Sequence, residues 1–460
     1  MRTRDDGGRS GHRGAGRGLT ATRATVVGGG LAGCEAAWAL AERGVSVTLH
    51  EMRPVRGTPA HQTDSLAELV CSNSFKSVET VNAHGLLKAE MRVLGSINLQ
   101  AADVARVPGG AALAVDRVAF AQAIHERIAN HPNIRLVRGE VTELPSPAII
   151  ATGPLTSEAL SAAIVKRLGG QDGHALAFWD AIAPIVSTES LDHSVLFRAS
   201  RYGKGEGDDY LNAPFTEAEY DAFVAAVKVG DQYAPNHEFD KIQYFEGCLP
   251  VEEMAARGRD VLRFGPMKPV GLPDPKTGRP AFAVVQLRQE DRAGQMWNLV
   301  GFQTRLRKGE QEKVFRMVPG LGAAEFLRHG SIHRNAYLNA PACLSPHLSA
   351  RDDSALMFAG QLTGVEGYTE SSATGLLAGI NLARILMGEE PLVPPPTTML
   401  GALYRYLREA DPAHFQPMNA NFGLVEPLEK TPRDKARKKQ LLAERALADM
   451  AAFAGTLVAA

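Results

Sequence analysis

Val26-Val27-Gly28-Gly29-Gly30-Leu31-Ala32-Gly33 is the stretch on which the fold turns. A short apolar run from Ala24 ends in two β-branched residues, as a buried strand does, and Leu31 to Arg43 is an alanine-rich helical pattern closed by Gly44. Val45 to His50 reads as a second strand with Glu51 at its end, 23 residues beyond Gly28. Strand, glycine turn, helix, strand and acid in that register predict a βαβ unit that binds a dinucleotide. Gly28 permits the tight turn, Gly30 lets backbone N–H groups approach a pyrophosphate, and Gly33 lets helix and strand pack closely. Gly29, Leu31 and Ala32 complete the bed at the helix start, where an anion is favoured. Glu51 is placed to accept hydrogen bonds from the adenosine ribose.

FAD and NAD both use this fingerprint, and two later segments favour FAD. Ile149-Ile150-Ala151-Thr152-Gly153 and Phe358-Ala359-Gly360-Gln361-Leu362-Thr363-Gly364 are each a buried strand ending in glycine. Flavoproteins use such returns to bring distant chain to a long, extended cofactor, so Thr152, Gly153, Gly360 and Gly364 join the expected cofactor site. A second GxGxxG is missing from the sequence, so a nicotinamide reductant would have no Rossmann domain of its own.

Further along, helices are predicted around Gly85–Leu94 and Phe120–Asn130, and strands at Ile134–Val137 and Ala148–Ala151. From about Ser161 aromatic and charged residues alternate with turns, and strands recur at Phe282–Leu287 and Trp297–Gly301. Leu356 to Gly360 then returns to the style of the first domain. The helix after it sets Leu376, Ile380, Ala383 and Met387 on one face, packed on the sheet. The expectation is an α/β protein: a Rossmann-like FAD-binding domain (24–160 and 331–460, the latter with C-terminal helices) and an inserted α+β substrate or tRNA domain (161–330). Residues 1–23 hold six Arg and six Gly and read as a disordered tail.

Hydrophobic content of 45% and charged content of 22% are those of a globular protein, and no apolar run reaches the roughly 18–20 residues that cross a bilayer. Four cysteines make neither a disulfide framework nor a CxxC metal pair, so a reducing cytoplasm and no metal site are expected. Cys34 and Cys343 sit among apolar neighbours and read as packing. Cys71, followed at once by Ser72-Asn73-Ser74, and Cys248, in Phe245-Glu246-Gly247-Cys248-Leu249-Pro250, are the two candidates for a catalytic thiol. With 50 basic and 51 acidic side chains, global charge does not steer the chain to nucleic acid. Basic residues gather at Arg198, Arg201 and Lys204; at Arg257, Arg259, Arg263 and Lys268; at Arg305, Arg307 and Lys308; and in 433–439. The first three groups offer a shared phosphate-binding face.

Several blocks together resemble the folate- and FAD-dependent tRNA uracil-5-methyltransferases. They include Gly28–Gly33, Glu51-Met52-Arg53-Pro54, Thr58-Pro59-Ala60-His61, Glu68–Ser74, Gly85-Leu86-Leu87-Lys88 and Gly109–Arg117. Phe245–Pro250, Phe264–Gly271, Ala283–Gln289 and Phe358–Tyr368 continue the pattern, which spans about Ala24 to Arg384. The resemblance implies methylation of carbon 5 of uridine 54 in the tRNA T loop. The one-carbon unit comes from 5,10-methylenetetrahydrofolate, with reduced FAD as electron donor and NAD(P)H recharging it. It also marks Cys248 as the catalytic cysteine of a Gly-Cys-x-Pro loop and Cys71 as the second one. The tail before Ala24 departs from the family pattern. Two other readings compete. One is a related flavoenzyme of the tRNA wobble uridine, whose relatives carry a longer C-terminal helical region than the roughly 60 residues after Pro396. The other is a non-catalytic flavoprotein that binds RNA or protein, against which the presence of both Cys71 and Cys248 argues.

Overall fold

A computed structural model of the chain describes residues 22–169, 175–233 and 249–458, so nearly all of the expected tail lies outside the described residues. The first unit is the expected one: β1 (Arg23–Val27), α1 (Leu31–Ala41) and β2 (Ser46–Glu51). Between Leu31 and Ala41 only Trp38 escapes full burial, which is why alanines fill the helix: its neighbours approach from every side. Next come β3 (Ser74–Ser77), α2 (Ala83–Val93), α3 (Ile97–Val104), β4 (Arg106–Val107), β5 (Ala112–Val115), α4 (Arg117–Ala129), β6 (Ile134–Arg138), β7 (Ala148–Ile150) and α5 (Glu158–Arg167). Helix α3 shows no periodicity signal in the sequence. Its start is held by Ser96, whose hydroxyl accepts the Leu99 N–H, and by Glu35 of α1, whose carboxylate accepts the N–H groups of Ile97 and Asn98.

The chain then runs through β8 (Ala175–Ile182), β9 (Ile185–Ser187), β10 (Phe197–Arg198), β11 (Tyr210–Phe215), α6 (Glu217–Val229), α7 (Val251–Ala256), α8 (Val261–Phe264), β12 (Ala283–Gln289), β13 (Met296–Leu299), α9 (Lys308–Phe315), β14 (Phe326–Arg328) and β15 (Ser331–Leu338). It closes with α10 (Ala340–Cys343), β16 (Ser349–Ala350), β17 (Asp353–Phe358), α11 (Tyr368–Leu386), α12 (Met399–Glu409) and α13 (Lys435–Val458).

Two sheets carry the architecture. One has the order β16-β17-β7-β1-β2-β6 and is parallel except at β16; the other, β10-β11-β12-β13-β9-β14, is antiparallel throughout. Each has its own apolar core, the second built from residues between Val186 and Ala324. Antiparallel β8 and β15 form a separate two-stranded ribbon between them. The boundary expected at 160/161 cuts helix α5, whose Leu160 and Ile164 belong to the first core.

Helix α11 packs chiefly on α1 and not on the sheet alone. An added Cβ at Gly375 would stand 2.2 Å from the Ala32 carbonyl oxygen, and one at Gly379 would stand 2.6 Å from that of Ala36. Small residues on both helices allow that approach. Met387, expected on the buried face, is 53% exposed, because the helix ends at Leu386 and the chain turns away.

Candidate active site

At the carboxyl ends of β1, β2 and β7 lies a cleft of about 1060 Å³, its open mouth included. Such crevices are where parallel sheets bind ligands. Gly28, Gly30, Leu31, Ala32, Glu51, Thr152, Gly153 and Gly360 line it, together with Tyr368. The three glycines of the fingerprint do separate jobs. Gly28 has φ +106°, and a Cβ there would lie 2.5 Å from the Ala151 carbonyl oxygen. At Gly33 a Cβ would fall 1.8 Å from the Gly28 carbonyl oxygen, so that residue closes helix on strand. Gly30, the N-cap of α1, faces open cleft: an added Cβ there would meet nothing within 4 Å, and the same holds at Gly153. The first amides of α1 have no intrahelical partner. An extended pyrophosphate-bearing cofactor fits this cradle: open space, an electropositive helix start and a carboxylate at the next strand end.

Glu51 is 5% exposed and already engaged. One oxygen accepts the backbone N–H and the Nε of Arg53, each at 2.9 Å, and the other accepts the Gly29 N–H at 2.9 Å. Burial opposes its charge, but Arg53 and these amides hold its carboxyl below the usual range. With two lone pairs per oxygen, the Gly29-bonded oxygen keeps room for a ribose hydroxyl. Arg53 in turn reaches Glu68 at 3.0 Å. His61, on the same wall, accepts or donates a 2.6 Å hydrogen bond with Thr58, and burial, aided by Arg53, pushes its pKa down to about 4. It is therefore neutral at pH 7.

Gly29 and Gly33 do not line the cleft, and neither does Gly364. Gly364 has φ +87°, and a Cβ there would strike the Phe415 ring at 2.5 Å, so it shapes the turn behind Gly360.

Cys71 is half-buried beside the cleft. Its N–H and that of Ser72 both donate to the Tyr368 hydroxyl, at 2.7 and 3.1 Å, which ties the thiol-bearing loop to a cleft wall. Its Sγ lies 3.9 Å from the Ala181 carbonyl oxygen. Cys248 lies outside the described residues; Leu249 and Pro250 follow it into α7. Cys34 and Cys343 are buried, and burial pushes both thiols up, that of Cys343 to about 11, so neither is poised for chemistry.

Part of the expected basic face is paired or hydrogen-bonded, while its Arg198, Lys268 and Lys308 are exposed with no ion pair to any described residue. Arg259 pairs with Glu217 and Asp221 at 2.7 Å, Arg305 with Glu253 at 2.7 Å, Arg307 with Asp231 at 3.1 Å and Lys204 with Glu79 at 2.6 Å. Arg201 donates to the Lys268 and Val270 carbonyls, and Arg263 to that of Phe282. By contrast Lys430, Arg433, Lys435, Lys438 and Lys439 are exposed, with no ion pair to any described residue.

The family model described as "Glucose inhibited division protein A" matches residues 23–390. A methylenetetrahydrofolate–tRNA-(uracil-5-)-methyltransferase TrmFO of Geobacter sulfurreducens is 58% identical over 93% of this chain and 97% of its own length. The TrmFO of Bacillus cereus is 53% identical over 93% of this chain and 98% of its own. The chain belongs to the TrmFO family. Among solved structures, Aquifex aeolicus GidA superimposes in two crystal forms with TM-scores of 0.68 and 0.66. The match covers 95% of this TrmFO-family chain and 76% or 75% of GidA, at 17% or 16% identity, so it shows the shared fold. That fold is the Rossmann-like FAD-binding architecture with an inserted α+β domain.

Sequence reasoning assigned no role to Arg53, Glu68, Arg117, Arg288, Glu290 or Tyr368. All but Glu290 lie at the ends of or inside short family blocks, yet their roles come from contacts across the fold. Arg288 Nε donates to Asn73 at 2.8 Å, a pairing across 215 residues that no local pattern carries.

Proposed function

We propose that this protein methylates carbon 5 of uridine 54 in the T loop of tRNA, in the cytoplasm, with 5,10-methylenetetrahydrofolate as one-carbon donor. The observation that carries the reading is the placement of Cys71 on a loop hydrogen-bonded to Tyr368, itself a wall of the dinucleotide cleft. Relatives named for this activity, aligned over nearly the whole chain, support it.

Gly28, Gly30, Leu31 and Ala32 would hold the pyrophosphate of FAD, Glu51 its ribose, and Thr152, Gly153 and Gly360 the stretch beyond. Bound there, FAD would supply the electrons for reducing the transferred carbon, with NAD(P)H as the reductant that recharges it. The protein's own part is thiol chemistry. Carbon 5 of uracil is a poor nucleophile, and addition of the Cys248 thiolate to carbon 6 makes it enolate-like. Carbon 5 then takes the one-carbon unit, Cys71 removes the carbon 5 proton, and the freed electron pair expels the carrier nitrogen to leave an exocyclic methylene. Once that methylene is reduced to methyl, the electron pair returning to the ring expels the Cys248 sulfur from carbon 6. Tyr368 and the loop around Cys71 keep that base beside the cleft. Mass spectrometry of tRNA from a strain lacking the gene tests the reading: 5-methyluridine at position 54 is lost. Loss of a wobble-uridine modification instead would move the protein to the competing family.

A further inference from the structure

Around Cys71 the charged groups form an ordered arrangement that the proposed chemistry leaves unused. Arg117, the first residue of α4, is half-buried; its Nε donates to Glu290 at 2.5 Å and its other nitrogens donate to the carbonyls of Leu69 and Cys71. Glu290 follows β12, so the pair crosses from the inserted domain to the nucleotide-binding domain. The Glu290 side chain is 1% exposed, and its second oxygen, Oε1, has no hydrogen-bond partner among the described residues. A buried carboxylate with one oxygen unsatisfied is costly to retain unless its charge has a use.

Other elements complete the setting. Arg328 of β14 lies within electrostatic reach of both Arg117 and the Cys71 thiol, as does Tyr368 of α11. Arg288 of β12 holds Ser72 at 2.7 Å and Asn73 at 2.8 Å, and Glu68 lies on the approach to the loop, near Arg328. Two guanidinium groups therefore lie within electrostatic reach of the thiol, and one of them is shared with a buried carboxylate.

We infer that Arg117 and Glu290 are positioning residues: Arg117 fixes the Cys71 peptide and favours its thiolate, and Glu290 aims Arg117 and tempers its field. The inference rests on the reading of Cys71 as a functional thiol. Electrostatics then demands opposite signs from the two partners. Removing the Arg117 charge withdraws stabilisation from the thiolate, whereas removing the Glu290 charge leaves Arg117 uncompensated and stabilises the thiolate further. A purely structural clamp would move both the same way.

The test follows iodoacetamide labelling of Cys71 against pH in the full-length, FAD-loaded, reduced protein, read at the Cys71 peptide by mass spectrometry. Arg117→Gln should raise the midpoint by about one pH unit or more, and Glu290→Gln should lower it. Arg117→Lys should keep the midpoint near that of the unaltered protein while lowering kcat, since charge is retained and the two-carbonyl grip is lost. If Arg117→Gln does not fold, Glu290→Gln and Arg117→Lys decide the matter. Midpoints that move together, or do not move, overturn the inference. Full methylation by Cys71→Ala would instead sink the functional reading and leave the thiol measurements standing.

Discussion

The Gly29 amide and the Glu51 carboxylate are joined at 2.9 Å, so the glycine turn and the end of the neighbouring strand are one rigid piece. A cofactor that spans both meets a preformed surface. Glu51→Gln should weaken FAD binding roughly 10- to 100-fold, the range for losing a hydrogen bond to a charged group, without unfolding the sheet. Flavin fluorescence during titration of the apoprotein measures it, and unchanged affinity would remove Glu51 from the site.

Gly30 offers a cleaner separation of folding from loading. Its φ of −77° and ψ of −171° suit any residue, and no atom lies within 4 Å of an added Cβ. Gly30→Leu should therefore fold with normal thermal stability and emerge colourless, its side chain filling the pyrophosphate path. Gly28→Leu, by contrast, meets the Ala151 carbonyl at 2.5 Å with φ +106° and should fail to fold. A yellow Gly30→Leu protein at full occupancy would show that the cofactor lies elsewhere.

For the thiols, a tRNA T arm bearing 5-fluorouridine should trap a covalent complex, because fluorine does not leave as a proton does. Cys248→Ala should abolish the band on a denaturing gel, and Cys34→Ala and Cys343→Ala should retain it, both being buried away from the cleft. Loss of the adduct only in Cys71→Ala would exchange the roles of the two cysteines.

Affinity for tRNA should fall steeply with salt as phosphate contacts release counterions. Arg259, held by Glu217 and Asp221, should contribute little, so Arg259→Ala leaves the slope of log Kd against log salt unchanged. The exposed Lys438 and Lys439 at the start of α13 should contribute more, and replacing both by Ala should lower the slope by about 2. The reverse pattern would return the phosphate-binding face to the inserted domain.

Glu90 gives a pH signature. Burial raises its carboxyl from 4.5 to about 8, outweighing the Met399 and Leu400 N–H groups that it accepts at 2.7 and 2.9 Å. Between those values the unfolded chain ionises while the folded one keeps its proton, so this group's contribution to stability declines as pH rises from 4.5 to 8. Relative to Glu90→Gln, the unaltered protein should lose thermal stability across that window. A difference that is flat with pH would refute the assignment.

The geometry of the glycine turn was legible because its information is local: Gly28, Gly30, Gly33 and Glu51 act through spacing, and each sits at the turn, helix start or strand end where the spacing places it. Gly364 was not, because the difference between lining a cleft and turning beneath Phe415 is set by residues about 50 positions away. The pairing of some basic residues was hidden for a related reason. Counting Arg259 as a free cation needs the knowledge that α6 brings Asp221 and Glu217 to it. Arg117 and Glu290 are 173 residues apart and carry no pattern that would join them before the chain is folded.

The ribbon of β8 and β15 has a consequence for how this molecule can be taken apart. Ile182 pairs with Ser331, so the polypeptide leaves and re-enters at adjacent points, and everything between them hangs from a single antiparallel stem. Topologically the antiparallel sheet is an elaborated hairpin tip. A two-residue Asn-Gly turn in place of residues 183–330 would reconnect the stem without altering the order of any strand in the parallel sheet. Such a minimal chain would keep Gly28, Gly30 and Glu51 but part with Arg288 and Glu290, leaving a flavin carrier whose Cys71 loop has lost its outside support.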